Sequence, residues 1–260
     1  METISRRSFV AALGGAFSLA ALSACAPTAG GSAGSSSAAS SATASSALVP
    51  EADASGFVLL AEAAPDVIQE IRYYTTYNFV GDRIDGYEQP VALITREAGE
   101  ALRKASDAAM AKGYRLKVFD AYRPQMAVDH FVRWSKDPDD TRMKQYFYPE
   151  LDKDVLFPQG YIMEKSGHTR GSTVDLTLFD MATEREADAG GTFDYFGELS
   201  HPDYRNITDE QYAVRMTLRE IMLDAGFKPL DEEWWHFTLV DEPYPDTYFT
   251  FPVNAASVGK

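Results

Sequence analysis

The clearest periodic segment runs from Thr95 to Met110, where Ala98, Leu102, Ala105 and Ala109 recur at helical spacing, with Gly113 following where a left-handed C-cap ends a helix. This spacing predicts one amphipathic helix. The pattern then changes period: Tyr114 to Ala121 reads as a short strand carrying Leu116, Val118 and Phe119, and Pro124 opens a second helix that runs to about Trp134. Thr208-Asp209-Glu210-Gln211 has the form of a capping box, and Val214, Leu218, Ile221, Met222 and Ala225 follow on one stripe up to Gly226. Trp235, Phe237 and Leu239 alternate as in a half-buried strand. Helices and short strands without a regular β-α-β rhythm predict an α+β domain, with helices packed around a small antiparallel sheet.

Two polar interruptions of this pattern carry the candidate chemistry. From Thr173 the chain alternates, so Thr173, Asp175 and Thr177 share one face of a strand and Val174, Leu176 and Leu178 the apolar one. Asp175 is thereby expected on a polar, cleft-facing surface. His168 lies seven positions earlier, in a segment bounded by Gly167 and Gly171, and from such a loop it can fold back toward Asp175. In Glu232-Glu233-Trp234-Trp235-His236-Phe237, His236 falls opposite two aromatic anchors, Trp235 and Phe237. Glu233 must sit in the turn before that strand if it is to reach the same point. Two histidines and one carboxylate leave a zinc ion a fourth position for water, whose proton a nearby free carboxylate can take. Taken singly, each of these residues also has a structural reading, and spacing alone does not decide between them. His130 and His201 read as structural.

The N-terminus changes the domain organisation. Ser5-Arg6-Arg7-Ser8-Phe9-Val10, followed by the weakly apolar Ala11 to Ala21, has the layout of a twin-arginine export signal. Leu22-Ser23-Ala24-Cys25 resembles a bacterial lipobox, which implies lipidation of Cys25, the single cysteine of the chain. The expected organisation is a lipoprotein signal over 1–25, a flexible Ala/Ser/Gly tether over 26–47 and one domain over 48–260. A net charge of −15 argues against nucleic acid or an anionic membrane surface as ligand, so membrane contact is expected through the anchor alone.

The two site segments resemble the His-x6-Asp and Glu-x-x-His signatures of the D-Ala-D-Ala dipeptidases, the VanX-like family of zinc peptidases. Tyr77-Asn78-Phe79, Asp85-Gly86-Tyr87-Glu88, Asp120-Ala121-Tyr122-Arg123-Pro124, Phe193-Asp194 and Asp241-Glu242-Pro243-Tyr244-Pro245 extend the likeness over nearly all of the chain from about residue 65. The resemblance implies a fold of the Hedgehog/D-Ala-D-Ala metallopeptidase type and one zinc ion per chain on His168, Asp175 and His236. It implies Glu233 as catalytic base, Arg123 steadying the oxyanion, and Ser166 and Asp194 at the carboxylate and ammonium ends of a dipeptide. The alternative within the wider fold group is a D,D- or L,D-carboxypeptidase acting on peptidoglycan stem peptides. Relatives known for glycopeptide resistance act in the cytoplasm, whereas the export signal points here to cell-wall peptide turnover outside it.

Overall fold

The computed structural model describes residues 53–260, so the expected signal over 1–25 with Cys25, and the tether over 26–47, lie outside the described residues. In chain order the elements are β1 (Phe57–Leu59), α1 (Leu60–Ala63), β2 (Ile68–Gln69), β3 (Leu93–Thr95), α2 (Arg96–Ala111), β4 (Tyr114–Asp120), α3 (Gln125–Ser135), α4 (Lys144–Phe147), α5 (Lys153–Leu156), β5 (Thr173–Asp180), β6 (Arg185–Glu186), α6 (Asp209–Asp224), β7 (Phe227–Pro229) and β8 (His236–Leu239). The main sheet runs β2-β4-β5-β8-β7, with β6 attached to β5, and β1 pairs with β3 in a separate ribbon. This is the predicted α+β architecture. Its pairs are antiparallel except at one edge, where the two-residue β2 lies parallel to β4.

The helices form where the periodicity places them. The predicted stripe of α2, Ala98, Leu102, Ala105 and Ala109, is fully buried. Its small side chains let the helix axis lie close to β4 and α6, against which α2 packs. Thr95 caps α2 by accepting from the Ala98 amide. The capping box of α6 is complete: Thr208 Oγ1 accepts from the Gln211 amide at 3.2 Å, and Gln211 Oε1 accepts from the Thr208 amide at 2.9 Å. Leu218, Ile221 and Met222 bury the core-facing side of α6, and Arg215 is buried with them.

Two departures from the alternation matter for function. On the polar face of β5, Thr173 and Thr177 are buried, and Thr173 Oγ1 pairs with Thr238 Oγ1 at 2.9 Å; only Asp175 reaches the cleft. In β4, the register slips between Val118 and Asp120, so that Asp120 lies opposite Asp175. A bulge of one residue turns Asp120 onto the face it would otherwise point away from. No helix among the described residues is long and apolar enough to cross a membrane.

Candidate metal centre and its cavity

Sheet register builds the floor of the site. Asp120 of β4, Asp175 of β5 and His236 of β8 are consecutive cross-strand partners, forming one row over three strands. His168 joins them from a short 3-10 turn, Gly167–Arg170, which ends at Gly171 with φ of +85°. Only glycine suits that position, because a Cβ there would strain the left-handed backbone and stand 2.2 Å from the Phe57 ring. Trp235 and Phe237, both buried, hold the backbone on either side of His236 as expected.

Within this row, His168, Asp175 and His236 turn one donor atom each toward a common point, all within 4.8 Å of one another. His168 Nε2 is 3.3 Å from His236 Nδ1 and 3.2 Å from Asp175 Oδ2, and His236 Nδ1 is 3.1 Å from Asp175 Oδ1. Tetrahedral zinc, with N and O donors at about 2.0–2.2 Å, spaces its ligands about 3.3–3.5 Å apart. The three side chains therefore fit a zinc ion. Two further observations agree with that fit. Asp175 Oδ1 is buried and its recorded neighbour is the imidazole of His236, another of the three donors, so it has a lone pair to give. His168 Nδ1 donates to the Ala121 carbonyl at 2.8 Å, which fixes the tautomer that leaves Nε2 as a lone pair.

The electrostatics of these side chains show the same need for positive charge. Burial opposes charge on His236, but hydrogen bonds to Asp175 and Glu233 prevail and push its pKa up to about 9. Burial likewise opposes charge on Asp175, and His168 and His236 together still hold it well below the usual carboxylate range.

The remaining residues expected at the site surround this point. Glu233 lies in the turn before β8, with Oε2 3.3 Å from His236 Nδ1. Arg123 is three residues beyond the end of β4, its guanidinium 2.8 Å from Asp120 and 3.5 Å from Asp175. Ser166 caps the 3-10 turn, its Oγ accepting from the His168 amide at 3.2 Å. Asp194 is buried, adopts φ of +62° and accepts from Tyr73 Oη at 2.9 Å. All seven residues line one cavity of about 520 Å³. The other two histidines stay outside it: His130 Nδ1 accepts from the Asp85 amide, and the His201 carbonyl accepts from Arg215.

Three residues emerge only from the structure. Asp120 accepts from Tyr87 Oη at 2.6 Å and from Arg123 Nε at 2.9 Å, bracing the guanidinium from below. Tyr73 places its ring 4.9 Å from the Arg123 guanidinium and its hydroxyl against Asp194. A carboxylate and two tyrosines in apolar runs look like ordinary core, and the signal that sets them apart is the bulge in β4.

Comparison with known proteins agrees with this geometry. The family described as D-Ala-D-Ala dipeptidase matches residues 53–254. A D-alanyl-D-alanine dipeptidase of Enterococcus faecalis is 42% identical over 77% of this chain and 99% of its own length. One of Streptomyces coelicolor is 41% identical over 76% of this chain and 98% of its own, and one of Escherichia coli is 33% identical over 72% and 86%. The chain belongs to the D-Ala-D-Ala dipeptidase family.

Proposed function

We propose that this protein hydrolyses D-Ala-D-Ala using water activated at a single zinc ion held by His168, Asp175 and His236. The observation that carries this reading is the placing of three convergent donors, a free carboxylate and a braced guanidinium in one cavity. When bound, zinc supplies Lewis acidity to the scissile carbonyl and lowers the pKa of a water ligand toward about 7. Glu233 takes the proton of the attacking water and delivers it to the leaving amine. Arg123, fixed by Asp120, meets the oxyanion as it develops, so little reorganisation is needed in the transition state. Asp194 receives the substrate ammonium and Ser166 lies at the carboxylate end.

The test offers purified, zinc-loaded protein D-Ala-D-Ala and, separately, a stem pentapeptide ending in the same two residues. Expected are turnover of the dipeptide, none of the pentapeptide, and loss of turnover with a chelator. Glu233→Ala should keep its zinc while kcat falls by about 10²- to 10⁴-fold. Cleavage of the pentapeptide in preference to the dipeptide would instead make the protein a carboxypeptidase. Near-normal turnover by Glu233→Ala would remove Glu233 from the mechanism.

On this reading the enzyme is exported and held at the outer face of the cytoplasmic membrane by lipid on Cys25, where it recovers alanine from dipeptide released in wall turnover. The order of arginine pair, apolar run, small residues and cysteine at the N-terminus supports that location.

A further inference from the structure

Resting on the dipeptidase reading, we propose that Lys165 binds the carboxylate end of the substrate and makes the enzyme select a free C-terminus. A dipeptide brings two charges into the cavity. Its ammonium has Asp194, whereas a hydroxyl alone, that of Ser166, is a weak partner for a full negative charge.

Three cations line the cavity: Arg123, Arg170 and Lys165. The first two already have partners. Arg123 is tied to Asp120 at 2.8 Å and lies 3.5 Å from Asp175. Arg170 makes a two-pronged pair with Glu242, at 2.7 and 2.9 Å, and the Glu242 side chain is only 8% exposed. Arg123, held by Asp120, is already assigned to the oxyanion at the scissile carbonyl, and Arg170 cannot turn to a ligand without abandoning Glu242.

Lys165 differs. Among the described residues no carboxylate lies within 4.0 Å of its ammonium, which instead stands 5.2 Å from the centre of the Tyr248 ring. A ring face attracts a cation without using its N–H donors, so the ammonium is held at the cavity edge with its hydrogen bonds still to give. The side chain is exposed, leaving it room to move onto a ligand. Lys165 also precedes Ser166 directly and lies three residues before His168, so its Cα is no more than about 11 Å from that of His168. In D-Ala-D-Ala a single carbon separates the carboxylate from the scissile nitrogen. A group that binds this carboxylate must therefore sit close to the centre that cuts the bond.

The experiment compares D-Ala-D-Ala with its C-terminal amide on wild type, Lys165→Met and Lys165→Arg, with zinc content and thermal midpoint measured on each. Expected for Lys165→Met is a KM for the free acid raised about tenfold, with kcat within twofold, and little change with the amide. Lys165→Arg should restore most of the acid preference. If Lys165→Met keeps the wild-type ratio of acid to amide, or loses both substrates in parallel, the assignment to Lys165 is overturned while the dipeptidase reading stands. A wild type inactive on both substrates would overturn both.

Discussion

Asp194 is held in a state that suits the ligand better than the fold. Burial, reinforced by the charge of Asp175, lifts its pKa well above the carboxylate range, and its backbone sits in the left-handed region that Asn tolerates as well as Asp. A carboxyl whose folded pKa is raised contributes stability that is fully present below its unfolded value, near about 4, and is lost as pH rises through the folded value. Asp194→Asn does not titrate. The variant should therefore match wild type in thermal midpoint at pH 4 and exceed it increasingly toward pH 8, while losing about 30- to 150-fold in kcat/KM for the missing charged partner of the ammonium. Parallel melting curves at all pH values would show that Asp194 carries no such penalty. At this scale the candidate ligands His168, Asp175 and His236, and the candidate base Glu233, could be picked out because they interrupt apolar patterns at positions where a loop, a strand face and a turn could turn them inward. Asp120 was not, because its inward direction depends on a bulge that hydrophobic alternation does not encode.

Elements position the site through buried polar contacts as much as through apolar ones. Arg215 of α6 is almost wholly buried, and burial lowers its pKa to about 10, so it stays charged at neutral pH. It donates to the carbonyls of Ala189, Leu199 and His201 at 2.6, 3.0 and 2.9 Å. These three acceptors bracket the segment that carries Asp194. The guanidinium also lies 5.6 Å from the ring of Trp234, the neighbour of Glu233. Replacing it with Met strands one buried and two part-buried acceptors, the buried one at about 1–3 kcal/mol. Arg215→Met should lower the thermal midpoint by several degrees and raise the dipeptide KM, with Arg215→Lys intermediate in both. A lowered midpoint with unchanged KM would mean that α6 supports the core without orienting the Asp194 segment. The periodicity revealed α6 and its capping box. The buried arginine stayed hidden because one charged residue on a sixteen-residue helix reads as part of the solvated face.

For the whole molecule, charge and anchoring act in opposite directions. The chain carries a net −15, so an anionic bilayer repels it, and among the described residues no helix can span one. On the proposed lipidation, attachment would rest on acyl chains on Cys25, each buried CH₂ contributing about 0.8 kcal/mol. Periodicity revealed α2, α3, α6, β4, β5 and β8, whereas β1, β2, β3, β6, β7, α1, α4 and α5, each of two to four residues, are too short to display a period. The anchor is legible only from the order of residues 1–25. On the proposed anchoring, attachment would be an all-or-none property of Cys25. Full-length protein expressed in a bacterium with a twin-arginine pathway should partition into the detergent phase after phase separation. Cys25→Ser should move it wholly to the aqueous phase with unchanged kcat/KM, and replacing Arg6 and Arg7 by lysine should leave it in the cytoplasm. Wild-type protein found soluble in the cytoplasm, with residues 1–24 intact, would overturn the proposed export and take the salvage role away.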